Sequence, residues 1–239
     1  MIRVHNEAER AEIYITGPIV DDADGAMLNS WDLGDGYEWP ADIRQQLDAA
    51  RGKPLTVYIN SDGGSVPAGV AIANMVQRHD APTTSVVDGW CCSIATQIFF
   101  AAQRRQMPEN AYLMLHKPTT VAAGNADELL KAAEFLDEIQ SGLETTYQNA
   151  AREGVTAAEI REMVNAETWL TGENAAALFN IELTPAATVL NCYGRTQAKQ
   201  PKEIVVKAAE NDKPHIDEVI NTAARIKAAL AFTKGVMCK

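Results

Sequence analysis

Apolar runs and helical repeats alternate along most of this chain. Four segments have the β-rich, apolar composition of strands: residues 11–19, 54–60, 83–89 and 111–116. Three others carry apolar residues at helical spacing: residues 40–50, 70–79 and 91–102. Strands that alternate with helices at this spacing predict an α/β fold built from βαβ crossovers.

The longest periodic segment covers residues 126–152. Its apolar side chains recur every three to four residues, which predicts one long helix with an apolar stripe, and Gly154 is suited to end it. The sequence TAAE at residues 156–159 is a capping box. It predicts a second helix that runs to about Asn165.

Charge divides the chain into two unequal parts. The net charge over 239 residues is −11, but the first 194 residues carry 12 basic and 27 acidic side chains, whereas the last 45 carry 9 and 5. A polar stretch near residue 192 marks the change. We therefore predict a folded domain over residues 1–191 and a basic tail over residues 192–239 that contains an amphipathic helix.

Net charge, apolar runs and cysteine spacing exclude several classes of function. An acidic protein is a poor general binder of nucleic acid. The N-terminus has no apolar signal region, and no apolar run approaches the ~20 residues that span a bilayer. The four cysteines have no metal-binding or disulfide spacing, and the sequence contains no cluster of ligands with metal spacing. We expect a cytoplasmic protein that binds neither nucleic acid nor membrane and uses no metal or cofactor.

Three predicted strands end in residues that could carry chemistry: NSDGGS at residues 60–65, GWCCS at 89–93 and LHKP at 115–118. Ligands of open α/β sheets bind at the carboxyl ends of strands, so these motifs could share one site. A nucleophile, a histidine base and free backbone N–H groups are the set that acyl transfer requires. Each motif also has a structural interpretation, because Gly-Gly is often only a turn and Cys-Cys-Ser only tight packing.

The second motif places three potential nucleophiles side by side: Cys91, Cys92 and Ser93. A thiol is the better nucleophile near neutral pH, so local chemistry alone favours a cysteine. His116, at the end of the third strand, is the candidate base. Composition and spacing leave the choice of nucleophile open.

The order of four motifs along the chain indicates a protein family. The segments YINSDGGSVPAGVAI, GWCCSIA, MPENAYLMLHKP and ETWLTGENAAAL follow one another as the motifs of the Clp protease proteolytic subunit (ClpP) family do. The chain resembles this family over about residues 11–182, and in particular the ClpP-related head maturation proteases of tailed phages and prophages. The resemblance implies the ClpP/crotonase-like βαβ superhelical core, with residues 126–152 as a protruding handle helix.

The resemblance also implies a catalytic triad. Ser93 matches the family's nucleophile and His116 its general base, while Cys91 and Cys92 stand where small residues are usual. The third member is commonly Asp in the family, and its position falls on Glu167 here. A Glu can orient an imidazole as Asp does, although one more methylene must be placed.

Backbone groups complete the implied site. Gly64 and Ile94 match the two N–H donors of the oxyanion hole. Gly63, Ser65 and Val66 lie where the substrate would bind as an added strand. The implied reaction is hydrolysis of a peptide bond through an acyl-enzyme.

The resemblance implies partners as well. The substrates would be scaffold and capsid proteins within a prohead, and the subunits would form a homo-oligomeric ring, a heptamer or a tetradecamer, in the bacterial cytoplasm or the prohead interior. Three alternatives stay open: a housekeeping ClpP peptidase fed by an ATP-dependent unfoldase, a crotonase-like acyl-CoA enzyme, and a catalytically silent ring-forming protein. The pair formed by Ser93 and His116 argues against the acyl-CoA enzyme, which does not need it.

Overall fold

A computed structural model describes residues 5–6, 9–31 and 36–186 of the chain. The predicted basic tail, its amphipathic helix and the boundary near residue 192 lie outside these residues and stay predictions. The helices of the described part are α1 (Asp22–Ser30), α2 (Pro40–Ala49), α3 (Val66–Gln77), α4 (Ala95–Ala101), α5 (Ala126–Ala150), α6 (Ala157–Asn165) and α7 (Gly172–Leu178). Its strands are β1 (His5–Asn6), β2 (Ala11–Thr16), β3 (Leu55–Ser61), β4 (Thr83–Cys92), β5 (Arg104–Pro108), β6 (Tyr112–Leu115), β7 (Thr168–Thr171) and β8 (Glu182–Thr184).

A parallel sheet forms the centre of the fold, as the alternating pattern predicted. Strands β2, β3 and β4 are parallel neighbours, and β1 adds to β2 in the antiparallel sense. One face of β3 is fully buried, and on the other face Tyr58 is buried, Thr56 is half-buried and Asn60 is exposed, which agrees with its largely apolar sequence. Helices pack on this sheet and close one core, which contains Ile13, Val57 and Ile98.

Strand β4 pairs with different strands at its two ends. Residues near its start pair with β5, which in turn pairs with β8, whereas Trp90–Cys92 pair with β6. Strand β6 then pairs with β7 in the antiparallel sense. The last residues of β4 are therefore held between β3 and β6, at the edge where the predicted motifs converge.

The prediction of a helix over residues 91–102 is wrong at its start. Cys91 and Cys92 belong to β4, and the helix begins only at Ala95. The physical reason is pairing on both sides, since Cys91 is opposite Ser61 of β3 and also opposite Leu113 of β6. A short turn separates the strand from the helix.

Several elements were absent from the sequence prediction: α1, α7, β1, β5, β7 and β8. Helix α1 has no clear apolar stripe in its sequence, and Gly25 packs directly against the side chain of Trp39, where a Cβ would overlap the ring. That contact joins residues distant in sequence. Strands β7 and β8 have only four and three residues, which is too short for a clear alternating pattern.

Helix α5 confirms the predicted long helix and has 25 residues. Asn125 and Glu128 form a capping box at its start, and its buried residues all lie from Gln140 onward. Leu130 and Phe135, in its first half, are 64% and 66% exposed. The first half of α5 therefore extends beyond the core, as a handle would. No helix among the described residues, this one included, has the length and apolarity to cross a membrane.

Candidate active site

Ser93 sits in the sharp turn between β4 and α4. Its φ is 55°, in the left-handed region that residues other than glycine seldom adopt. Its N–H donates to the carbonyl oxygen of Met114 at 3.0 Å, so the pairing of β4 with β6 continues to this residue. Such conformations cost about 1–3 kcal/mol and cluster at functional sites. The turn presents Ser93 at the carboxyl edge of the sheet.

His116 follows β6 directly and meets this serine. Its Nε2 lies 2.7 Å from the Oγ of Ser93. The pairing of β4 with β6 explains this contact. Cys92 is paired with Met114, and Ser93 and His116 follow that pair by one and two residues. The histidine is half-buried.

The Gly63-Gly64 turn packs against the serine turn. A Cβ on Gly63 would lie 2.7 Å from the Cβ of Ser93 and 2.8 Å from the carbonyl oxygen of Cys92, so only glycine fits. The φ of Gly63 is 93°, which also favours glycine. The two strand ends are thus in direct contact.

The N–H groups of Gly64 and Ile94 are free within the described residues. Gly63 accepts from the N–H of Ile19 at 2.8 Å, and Ser65 donates to the Ile19 carbonyl at 2.8 Å. This parallel bridge turns the intervening N–H of Gly64 away from Ile19. Ile94 precedes the first turn of α4, where backbone N–H groups have no partner within the helix. Both donors border the serine turn, as an oxyanion hole requires.

The other predicted substrate-binding residues are largely engaged with the protein itself. The N–H of Gly63 donates to Ser61 Oγ at 3.1 Å, and Ser65 caps α3 and donates its hydroxyl to Asp21 Oδ1 at 2.7 Å. Val66 instead lines a cavity of about 460 Å³ between α3, α4 and α5.

Glu167 directly precedes β7 and is not hydrogen-bonded to His116. The last pair of β6 with β7 is Leu115 with Thr168, so His116 and Glu167 are the residues that adjoin this pair on the two chain segments. Glu167 is exposed, and its φ of 52° makes it the second non-glycine residue with positive φ among those described. Within the described residues, no hydrogen bond joins its carboxylate to the ring of His116.

The two neighbouring thiols are protonated at neutral pH. Cys91 and Cys92 are both buried. Burial raises the pKa of the Cys91 thiol well above its usual range, and burial together with the charge of Asp62 raises the pKa of Cys92 to about 11. Because the thiolate is the reactive form of cysteine, these thiols are poor nucleophiles. The raised pKa values of the thiols and the contact of Ser93 with His116 therefore favour Ser93 as the candidate nucleophile.

Two residues that sequence reasoning missed hold the serine turn in place. Thr96 Oγ1 donates to the carbonyl of Ser93 at 2.6 Å and also lies 2.8 Å from the hydroxyl of Tyr147. Tyr147 is fully buried in α5, and burial raises the pKa of its hydroxyl. Helical spacing marked Tyr147 only as part of an apolar stripe. Nothing in the sequence signals its bond to Thr96.

The arrangement has the parts of a nucleophilic site. A hydroxyl at hydrogen-bond distance from an imidazole can lose its proton to it as it attacks a carbonyl carbon. Two free N–H groups nearby can stabilise the negative oxygen that results. Within the described residues, no group of three or more His, Cys, Asp or Glu side chains is placed to hold a metal ion.

Comparison with known families agrees with this geometry. A model of the Clp protease family matches residues 43–178, which include Ser93, His116 and Glu167. The chain belongs to the Clp protease family. The match begins within α2 and ends at the last residue of α7.

Sequence identity to individual members of this family is low. The chain is 30% identical over 128 residues to ATP-dependent Clp protease proteolytic subunit 1 of Protochlamydia amoebophila, an alignment that covers 52% of this chain and 61% of that protein. It is 28% identical over 128 residues to the subunit of the same name in Chlamydia abortus, covering 52% and 66%. The chain therefore spans less than two thirds of these relatives' lengths.

A solved structure shares the fold. A ClpP1 mutant from Listeria monocytogenes superposes with a TM-score of 0.57 at 21% sequence identity, covering 75% of this chain and 94% of that one. The expected ClpP-like α/β core is thus confirmed.

Proposed function

We propose that this protein is a serine endopeptidase that hydrolyses peptide bonds through an acyl-enzyme intermediate. The observation that carries the proposal is the 2.7 Å contact of His116 Nε2 with the hydroxyl of Ser93, made in a turn where Ser93 has positive φ. Membership of the Clp protease family supports the same reaction.

The chemistry follows from the positions of these atoms. His116 takes the proton of Ser93 while Oγ attacks the scissile carbonyl, and the N–H groups of Gly64 and Ile94 stabilise the resulting oxyanion. The C–N bond then breaks, and His116 gives its proton to the departing amine. Water, activated by the same imidazole, attacks the acyl-enzyme and releases the second product, which restores Ser93. Each step is a proton transfer or an acyl transfer, so the reaction needs no cofactor.

Glu167 is proposed as the group that orients His116. The pairing of β6 with β7, which ends at Leu115 and Thr168 next to the two residues, supports this role. The carboxylate of Glu167 would have to turn toward Nδ1 of His116 in the assembled or substrate-bound enzyme. We expect Glu167→Ala to lose most of its turnover while it keeps its native mass. Glu167→Asp should retain more activity than Glu167→Ala. Equal activity in all three proteins would mean that another group orients the imidazole.

For the biological setting, we propose processing of capsid and scaffold proteins during prophage head maturation. Glu167 in place of the usual Asp, within AETWLT, is the sequence feature that supports the phage branch. The expected assembly is a heptameric ring or a tetradecamer, in the bacterial cytoplasm or the prohead. The exposed apolar residues of the first half of α5, Leu130 and Phe135 among them, support subunit pairing through this helix.

A second candidate is a peptidase that works with an ATP-dependent unfoldase. The names of the two chlamydial relatives favour it, since both are ATP-dependent Clp protease proteolytic subunits. Genes for portal and capsid proteins beside this gene would favour head maturation. A gene for a Clp-type unfoldase beside it, together with ATP-stimulated degradation of casein, would favour the second candidate.

Cleavage of a quenched fluorescent peptide tests the activity itself. We expect the wild-type protein to cleave it and Ser93→Ala to lower kcat by at least about a thousandfold, because the nucleophile is absent. Native mass spectrometry of both proteins checks that assembly is unchanged. Cleavage by Ser93→Ala at the wild-type rate would contradict the proposal.

A further inference from the structure

A second, smaller cleft lies close to the serine turn, since one of its lining residues, Ser61, pairs with Cys91. Its volume is about 360 Å³, and it is lined by Gly17, Asn60, Ser61, Asp62 and Trp90. Asp62 precedes Gly63, which packs directly against Ser93, and Trp90 comes three residues before Ser93, so the cleft lies near the candidate nucleophile. Its volume lies at the lower end of the range of ligand pockets, about 300–1,000 Å³, which suits one side chain.

Trp90 forms a fixed aromatic wall of this cleft. Its backbone N–H donates to Asn60 Oδ1 at 3.0 Å, and its ring makes an edge-to-face contact with Trp169 at a centroid distance of 5.2 Å. The ring is nevertheless 47% exposed. An exposed tryptophan held on two sides keeps one surface available for a ligand and loses little entropy on binding.

Asp62 gives the cleft its charge. Its side chain is exposed, and none of the five lining residues is basic. A carboxylate and an indole ring that line one cleft, with the amide oxygen of Asn60 beside them, match a side chain with a positive charge and an apolar stem. Lysine and arginine are the side chains of this kind.

We propose that this cleft binds a lysine or arginine side chain of the peptide substrate, within about two residues of the scissile bond. The proposal rests on the peptidase function proposed above and adds a specificity to it. The ammonium or guanidinium would lie between the Asp62 carboxylate and the Trp90 ring, with its methylene stem along the indole.

Quenched peptides that differ at one position test this specificity. At each of the three positions on either side of the cleaved bond, lysine or arginine is compared with norleucine or citrulline, which are similar in size and neutral. At one or two of these positions we expect kcat/KM to be higher for the basic residue, by about fivefold or more. Asp62→Asn should remove most of that preference, Trp90→Leu should reduce it, and Trp90→Phe should retain part of it.

Asp48→Asn is the matched control, because it removes an exposed carboxylate from α2, away from both clefts. This variant should keep the wild-type preference.

Labelling of Ser93 by a small fluorophosphonate, which needs no peptide side chain, separates the two proposals. A protein that is labelled but cleaves basic and neutral peptides equally would overturn the specificity alone. A wild-type protein that is neither labelled nor active would overturn both.

Discussion

The contact between Gly63 and the serine turn makes a quantitative prediction for Gly63→Ala. An added methyl group would meet the Cβ of Ser93 at 2.7 Å, the carbonyl oxygen of Cys92 at 2.8 Å and the nitrogen of Ile94 at 3.1 Å. Ordinary contacts of this kind are about 3.5–4.0 Å, so the turn must move by several tenths of an ångström up to about 1 Å. Overpacking of this kind costs about 1–3 kcal/mol, and an alanine at a φ of 93° costs about 1–2 kcal/mol more.

Gly52→Ala isolates the backbone part of that cost. Gly52 also has positive φ, 73°, but a Cβ there would meet nothing within 4 Å. We expect Gly52→Ala to lower the free energy of unfolding by about 1–2 kcal/mol and Gly63→Ala by about 2–5 kcal/mol. Chemical denaturation of the two variants and the wild type measures both values.

Activity provides the second measurement for the same pair. Because a displacement of about 1 Å at a reacting group can cost about a hundredfold in rate, Gly63→Ala should react with a fluorophosphonate about a hundredfold more slowly. Gly52→Ala should react at the wild-type rate. If Gly63→Ala were no less stable than Gly52→Ala and reacted normally, the packing of the glycine turn on Ser93 would be refuted.

Two further predictions concern the residues around Ser93. Cys92→Ala should retain most of the peptidase activity. In the wild type, alkylation of Cys92 by iodoacetamide should be slow at pH 7 and its rate should rise about tenfold per pH unit, because the thiol's pKa of about 11 leaves little thiolate. Rapid alkylation at pH 7 that abolishes activity would count against this. Tyr147→Phe should lower the free energy of unfolding by about 1 kcal/mol through loss of the bond to Thr96, and slow the labelling of Ser93 several-fold. Unchanged stability and labelling would mean that this bond does not support the turn.

The sequence predicts the central fold because its signals there are local. Strand β3 is mostly buried and has a largely apolar sequence, and α5 has both a periodic stripe and a capping box. Strand β5 is different, since RRQMP contains three polar residues and is recognisable only by its pairing with β4 and β8. Long-range pairing of this kind leaves no pattern in the strand itself.

Some residues of the candidate site could likewise be predicted from the sequence, whereas the position of others depends on the fold. Ser93 and His116 could be identified from the order of the motifs, but spacing alone could not choose between Ser93 and Cys92. Two structural facts favour Ser93: burial raises the pKa of the Cys92 thiol, and the hydroxyl of Ser93 lies within hydrogen-bond distance of His116. Glu167 and His116 are brought to the same end of the sheet by the antiparallel pairing of β6 and β7, and β7 was not predicted.

Fluorophosphonate labelling with intact mass and peptide mapping is the most direct test of the central claim. A reactive serine activated by His116 should give one adduct per chain, located on Ser93, in the wild type and in Cys92→Ala. Ser93→Ala should give none, while its native mass matches that of the wild type. An adduct that persists in Ser93→Ala, or a correctly assembled wild-type protein that is not labelled, would contradict the assignment of Ser93 as the nucleophile.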